Sequence, residues 1–119
     1  MVYSIAEWLL IEMNSAADTV FKTLADPTRR SLLERLCREG EQTVWMLTRH
    51  ARISQPAVSK HLAALKAAGL VRDRREGRET HYRAETKGLS PLVDWLSLYG
   101  AFWRDRLDRL EDLLQRMDK

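Results

Sequence analysis

Apolar positions at spacings of three and four residues divide the first half of the chain into predicted helices. The first helix is expected from about Ser15 to Ala25. It stops before Asp26-Pro27 because a residue that precedes proline avoids helical backbone angles. The second helix begins at the same dipeptide, with Asp26 as its cap and Pro27 in its first turn, and it ends at Gly40. Its leucine stripe predicts a buried face formed by Leu32, Leu33 and Leu36.

Two further helices are predicted with a link of only three residues between them. A short helix covers about Val44–Ala51 after the cap Thr43, and the next one begins after the cap Ser54 and ends at Gly69. The buried stripe of this fourth helix consists of Val58, Leu62 and Leu65. A helix, a short link and a second helix form the helix-turn-helix arrangement, in which the second helix enters the major groove of DNA.

After Gly69 the hydrophobic period becomes that of strands. Two strands are predicted, Leu70–Arg75 and Arg78–Ala84, with a two-residue turn at Glu76-Gly77. The expected cross-strand pairs are Val71 with Tyr82, Asp73 with Thr80, Arg74 with Glu79 and Arg72 with His81. This register places Arg75 and Arg78 on either side of the tip, where two neighbouring positive charges favour contact with a phosphate.

A long last helix is predicted from Ser90 to about Met117. Its apolar seam recurs at three and four residues and consists of Leu96, Tyr99, Trp103, Leu107, Leu110, Leu114 and Met117. A helix of about 27 residues is roughly 40 Å long, more than so small a domain can cover. The seam therefore favours a homodimer, with packing inside one chain as the alternative.

Together these elements predict a mainly α fold with a small β-hairpin wing, a winged helix-turn-helix of about five to six helices. We divide the chain into an N-terminal extension of uncertain role (1–12), a winged helix-turn-helix region (13–90) and a dimerisation helix (91–119) of the same domain. The extension is apolar and precedes Met13. It either forms an additional helix or is not translated, if translation starts at Met13.

Composition and charge narrow the class of protein. The chain has 119 residues, enough for one domain but too few for a core plus a catalytic lobe. The net charge is +3, yet the segment from Ser54 to Arg83 contains seven basic and three acidic residues. Such a localised basic patch favours a polyanion as partner. The single cysteine, Cys37, excludes an internal disulfide, and with no signal-peptide pattern or membrane-spanning run we expect a cytoplasmic protein.

The candidate DNA contacts lie on the fourth helix and on the hairpin. The buried stripe turns Gln55, Ser59 and Lys60 outward together with small alanines, so that the backbone can approach the bases. Gln55 and Ser59 can hydrogen-bond to base edges, and Lys60 can reach a guanine or a phosphate. The arginines of the hairpin are expected to contact the DNA backbone or the minor groove, and they are Arg72, Arg74, Arg75 and Arg78.

Four segments resemble the ArsR family of winged-helix repressors. They are Leu24–Arg30, Ser54–Leu62, Ala68–Val71 and Arg74–Arg78. The resemblance implies a homodimer that binds double-stranded DNA at an inverted repeat and represses a nearby promoter. It also implies that the first and last helices form the dimer, so that Val20 and Phe21 join the seam residues of the last helix in the interface.

The chain departs from the metal-sensing members of that family. The third helix has no cysteine and the last helix has no histidine, so neither supplies the four or so ligands that zinc requires. We therefore expect no metal and no cofactor, and a small-molecule effector stays open and unidentified. Trp45, Trp95 and Trp103 are expected in the core or at the dimer interface, and His61 is expected to be packed or hydrogen-bonded.

Two other functions are alternatives to a DNA-binding regulator. A winged-helix module for protein contacts predicts an acidic or apolar fourth helix, whereas this helix presents Lys60 beside a basic hairpin. An enzyme requires a paired nucleophile and base, a glycine-rich phosphate loop or clustered ligands, and the sequence shows none of these patterns. The sequence does not indicate the operator, the regulated gene or the inducing signal.

Overall fold

A computed structural model describes residues 4–118 of the protein, with the side chains of residues 8–14 and 101 outside that description. The helices are α1 (Ile5–Leu24), α2 (Pro27–Glu39), α3 (Val44–Ala51), α4 (Gln55–Ala67), a 3-10 helix (Thr86–Leu89) and α5 (Ser90–Met117). The strands are β1 (Gln42–Thr43), β2 (Val71–Glu76) and β3 (Glu79–Ala84), which form one antiparallel sheet in the order β1-β3-β2. The predicted fold, mainly helical with a hairpin wing, is confirmed.

The first helix begins ten residues earlier than the sequence pattern predicts. Its cap is Ser4, whose hydroxyl accepts a hydrogen bond from the backbone N–H of Glu7 at 3.2 Å. No glycine or proline interrupts the chain from there to Ala25, so the helix continues through the polar positions at which the sequence pattern places its start. The boundary predicted at residue 12 consequently falls inside α1, and residues 1–3 lie outside the described part of the chain.

The expected capping residues set the starts of α2, α3 and α4, whereas α5 begins after Leu89 without a side-chain cap. A carboxylate oxygen of Asp26 accepts hydrogen bonds from the backbone N–H groups of Arg29, at 3.2 Å, and Thr28, at 2.8 Å. These bonds stabilise the carboxylate and lower the pKa of Asp26. The hydroxyls of Thr43 and Ser54 cap α3 and α4 in the same way, and Gly40 ends α2 with a φ of +79°.

A single hydrophobic core joins α1, the helix-turn-helix and the base of the hairpin. Its buried members are Val20, Leu32, Leu33, Leu36, Leu47, Val58, Leu62, Leu65, Leu70 and Val71. All the stripe residues predicted for the second and fourth helices are among them. Val20 is only 2% exposed within one protomer, so, contrary to its predicted place in the dimer interface, it offers no surface to a second chain.

The hairpin has the predicted strands but a different register. Val71 pairs with Ala84, Asp73 with Tyr82 and Arg75 with Thr80, two residues along β3 from the predicted partners. The turn is Gly77-Arg78, because Gly77 has a φ of +62° and supplies the positive φ that a type II′ turn needs at its first central residue. A shift of two residues leaves each side chain on its predicted face, so the faces were correct and the pairs were wrong.

The sheet also contains a strand that the sequence pattern did not indicate. Residues Gln42 and Thr43 form β1, which pairs with Tyr82 and His81 on the outer edge of β3. A two-residue strand is too short to show an alternating pattern. Its effect is to attach the hairpin to the segment between α2 and α3.

Aromatic side chains hold the start of α5 against α1. The rings of Phe21 and Trp95 meet edge to face with centroids 5.1 Å apart, and Trp95 lies 5.0 Å from Tyr99. Farther along α5 the seam is left in solvent, with Trp103, Leu107, Leu110 and Leu114 all at least half exposed. In the part of the chain that the structure describes, no helix is long and apolar enough to cross a membrane.

A close backbone contact places the 3-10 helix on the end of α4. Gly88 lies so near to the backbone of Gly69 that a Cβ atom at position 88 would clash with the Gly69 carbonyl. Leu70 follows with its N–H bonded to the carbonyl of Leu65 at 2.9 Å. These contacts join the end of α4 to the segments that lead into the hairpin and into α5.

Candidate nucleic-acid interface

The outer face of α4 has polar residues at its N-terminal end and small residues farther along the helix. Val58 and Leu62 are fully buried, which turns Gln55, Ser59 and Lys60 into solvent. Two alanines, Ala63 and Ala67, continue this exposed face. An outer face with hydrogen-bonding groups at its N-terminal end and small residues behind them suits close approach to base edges in a major groove.

The turn between α3 and α4 depends on an unusual backbone angle. Arg52 ends α3 with a φ of +59°, in the left-handed region that non-glycine residues rarely adopt. Immediately after it, Ser54 caps α4 by accepting a hydrogen bond from the N–H of Ala57 at 3.3 Å. The reversal at Arg52 keeps the link short and fixes the angle at which α4 leaves the body of the domain.

Two of the four predicted wing arginines are engaged in ion pairs. Arg72 lies 2.9 Å from a carboxylate oxygen of Glu85 at the base of the hairpin. Arg74 binds Glu41 and Glu76. Arg75 and Arg78, at the end of β2 and in the turn, have no carboxylate partner among the described residues. The tip of the wing therefore presents two positive charges that no carboxylate of the described residues neutralises.

Arg74 acts as a clamp between the wing and the segment before β1. Its guanidinium donates to both carboxylate oxygens of Glu41, at 2.8 and 2.9 Å, and to Glu76 at 2.8 Å. The hydrogen bond from Arg74 lowers the pKa of Glu41, and the two carboxylates in turn raise the pKa of Arg74. The Glu41–Arg74 pair joins residues 33 positions apart in sequence, so it restrains where the wing stands.

A second ion pair joins the wing to α4. The ammonium group of Lys66, in the last turn of α4, lies 3.0 Å from a carboxylate oxygen of Asp73 on β2. This side-chain hydrogen bond raises the pKa of Lys66. With Lys66, Arg72 and Arg74 paired, four basic residues of the patch counted from the sequence have no carboxylate partner among the described residues: Lys60, Arg75, Arg78 and Arg83.

A cleft of about 220 Å³ brings the two predicted sets of DNA contacts together. Gln55 and Ser59 of α4 line one side of it, and Arg78 of the wing turn lines the other. Trp45 of α3 completes the cleft and is 60% exposed, so it does not lie in the core of the protomer, and its place at a dimer interface stays a prediction. The missed signal is the shortness of α3, where only Leu47 is buried and the position two before it faces outward.

The histidines near the interface are held by neighbouring side chains. The Nε group of Arg29 donates a hydrogen bond to Nδ1 of His61 at 3.3 Å, which is the bonded role expected for this histidine. His81 sits opposite Arg74 in the sheet, with Nε2 3.7 Å from Glu76 and 3.8 Å from Glu79. Among the described residues, no three His, Cys, Asp or Glu side chains converge as a metal site would require.

The ion pair between Glu41 and Arg74 predicts the direction in which a substitution of Glu41 changes the affinity for DNA. Glu41→Ala removes a negative charge beside a surface that we expect to meet DNA, so simple electrostatics predicts tighter binding. We expect binding a few-fold weaker instead, with an unchanged salt dependence, because the wing loses its restraint. Fluorescence anisotropy with labelled duplex DNA measures both quantities. Glu39→Ala removes a carboxylate from an exposed pair with Arg35 on α2 and is the matched control. Tighter binding by Glu41→Ala than by wild type would show that the clamp does not matter.

A helix-turn-helix whose second helix stands beside a hairpin wing defines a winged helix-turn-helix protein. The sequence profile described as bacterial regulatory protein, arsR family, matches residues 26–73. The transcriptional repressor SdpR of Bacillus subtilis (strain 168) is 37% identical over 79 residues, which cover 66% of this chain and 87% of that protein. The protein belongs to the ArsR family, and the resemblance of its sequence motifs is confirmed.

Solved structures agree with this assignment. The crystal structure of an ArsR family transcriptional regulator superposes with a TM-score of 0.69 at 31% identity, covering 76% of this chain and 93% of the other. The solution NMR structure of a homodimeric winged helix-turn-helix DNA-binding domain from Mycobacterium bovis, a possible ArsR-family regulator, gives 0.60 at 25% identity, covering 88% and 94%. The chain is thus a DNA-binding transcriptional regulator, and its family consists of regulators rather than enzymes.

Proposed function

We propose that this protein is a homodimeric repressor that binds an inverted repeat in double-stranded DNA near the promoter it controls. The observation that supports this most strongly is the shared cleft, in which the base-reading candidates of α4 stand beside the wing turn. One surface then offers hydrogen bonds for base edges and unpaired positive charge for phosphates. Repression is what the name of the related SdpR protein states for that protein.

The proposed contacts differ in kind along this surface. Gln55 and Ser59 read base edges, and Lys60 binds a guanine or a phosphate. Arg75 and Arg78 bind phosphates next to the groove, because their charge is not neutralised by a carboxylate of the described residues. Arg74 keeps the wing in position through its ion pair with Glu41, and Arg72 pairs with Glu85 at the base of the hairpin; the DNA contact expected of both arginines stays a prediction.

The exposed apolar seam of α5 supports a homodimer. Large apolar side chains are exposed to solvent in a single protomer. They belong to Phe21 on α1 and to the seam of α5 from Leu96 to Leu114. So much apolar surface along one helix is typical of a protein interface. The related domain from M. bovis is homodimeric, and a two-fold dimer would present two copies of α4 to the same face of DNA.

The alternative of a protein-contact module is less well supported. Such a module predicts an acidic or apolar outer face on α4, whereas the exposed face is polar and includes Lys60. A DNA-binding regulator must share a compartment with the chromosome, which agrees with the cytoplasmic location expected from the sequence. We assign no metal, cofactor or effector to the function.

Footprinting tests the proposal directly. On DNA from the region upstream of its own gene, the protein is expected to protect two half-sites related by a two-fold axis. Their centres should be about 10 base pairs apart or a small multiple of that distance, since each recognition helix of the dimer enters one major groove. Unlabelled random-sequence duplex in excess is the specificity control. Protection of a single asymmetric site would count against the dimer, and no protection at any salt concentration against DNA binding there.

A further inference from the structure

Trp45 is an exposed indole beside the recognition helix. Among the described residues, the other large apolar side chains left in solvent lie on α1 and α5, apart from its neighbour Met46. Trp45 is therefore not one of the seam residues of α1 and α5 that a second copy would cover. An indole combines a large apolar face with one N–H group, a chemistry that is enriched at binding interfaces.

The position of Trp45 relates it to the DNA contacts. It forms one wall of the cleft whose other walls carry Gln55, Ser59 and Arg78. It lies on α3, the first helix of the helix-turn-helix, and in this motif the first helix crosses the DNA backbone while the second enters the groove. A ligand that meets α4 and the wing tip together must pass directly beside this ring.

Arg49 is held over the same ring. Its guanidinium carbon lies 4.8 Å from the ring centroid of Trp45, which is four residues earlier and thus one helical turn away. Arg49 is exposed and has no carboxylate partner in the part of the chain that the structure describes. The stacking restrains the guanidinium without neutralising it, and this lowers the entropy cost of binding an anion.

We propose that Trp45 and Arg49 form a third DNA-contacting element, in addition to α4 and the wing. The indole packs against deoxyribose at the edge of the groove that α4 enters, and Arg49 donates hydrogen bonds to an adjacent phosphate. This inference rests on the proposed function. It adds a contact to the sugar–phosphate backbone and leaves the reading of base edges to Gln55 and Ser59.

The test uses the full chain and a fluorescently labelled duplex that contains the footprinted site. Arg49→Ala is expected to reduce the slope of log K against log salt by about 1.8 for a dimer, at about 0.9 per phosphate contact. Trp45→Ala is expected to weaken binding about 5- to 10-fold and to reduce the slope in part, because Arg49 loses its platform. The double variant should be less impaired than the product of the single effects, since the two side chains act as one unit.

Controls separate a contact from a structural role. Trp45→Phe keeps an aromatic platform and should restore most of the affinity and slope, while the change in tryptophan fluorescence on adding DNA is reduced. Arg38→Ala removes an exposed arginine of α2 and should leave binding unchanged. Because both target side chains are exposed, circular dichroism and thermal midpoints of the variants should match those of the wild type.

Two outcomes would overturn the inference, and they are distinguishable. If Trp45→Ala and Arg49→Ala bind like the wild type while the Arg75→Ala/Arg78→Ala variant is impaired, α3 makes no contact and the proposed function stands. If the wild type itself does not bind the duplex, the proposed function fails, and this inference fails with it.

Discussion

Replacing Arg75 and Arg78 together by alanine is expected to weaken DNA binding about 100-fold near physiological salt. The two arginines lie at the tip of the wing without carboxylate partners among the described residues, so their charge is available to phosphates. A dimer presents four of them, and each phosphate contact contributes about 0.9 to the slope of log K against log salt. Anisotropy titrations across a salt series should therefore show a slope smaller by about 3.6.

The control for this variant removes the same amount of charge elsewhere. Arg38→Ala/Lys87→Ala changes two exposed cations, one on α2 and one in the 3-10 helix at the base of the hairpin. We expect only the small, nonspecific weakening that follows from a lower net charge. Equal effects of the two double variants would mean that the wing has no specific contact with the backbone. An unchanged slope after the wing substitutions would contradict the assignment of Arg75 and Arg78 to phosphates.

Leu110→Asp is expected to dissociate the dimer and to abolish tight DNA binding with it. Leu110 is 51% exposed in one protomer, so a monomer can accommodate the aspartate in solvent and should stay folded. In a dimer the same carboxylate would be buried in an apolar seam without a partner, at a cost of about 3–5 kcal/mol. Even one such carboxylate raises the dimer Kd by a factor of roughly 100 to 5000, and a homodimer buries two. Analytical ultracentrifugation measures the dimer, and anisotropy measures the loss of DNA binding.

A second aspartate variant on the same helix is the matched control. Gln115 lies five residues after Leu110, about 140° around the helix, and is exposed. Gln115→Asp adds the same charge outside the seam, and we expect wild-type dimerisation and DNA binding. Circular dichroism should show equal helix content in both variants. A monomeric Leu110→Asp protein that still bound DNA with wild-type affinity would refute the link between dimerisation and function.

Much of the candidate site could be predicted because it depends on local rules. The outward positions of Gln55, Ser59 and Lys60 follow from the buried stripe of α4, since residues that share a helix face recur at three and four. The faces of the hairpin were likewise predicted correctly, because alternation along a strand does not depend on the partner chosen. The pairing itself was wrong by two residues, since either placement of Gly77 in a two-residue turn satisfies the sequence pattern.

Three features of the site required the tertiary structure. The pairing of Arg74 with Glu41 joins positions 33 residues apart, and nothing local distinguishes Arg74 from Arg75 as the clamped arginine. The exposure of Trp45 depends on how the short α3 packs against its neighbours. Val20 is buried in the core rather than available to a dimer interface, and this depends on which face of α1 meets the core.

The sequence by itself determined the helix ends after the first helix, the stripes of the core and the family. Each of these is encoded within one or two turns of chain, in caps such as Asp26 and Ser54, or in motifs that match directly. The tertiary structure alone decided which charges are free for DNA and which are used to hold the wing. An ion pair depends on the path of the whole chain. The distance between its two side chains cannot be read from the order of the residues.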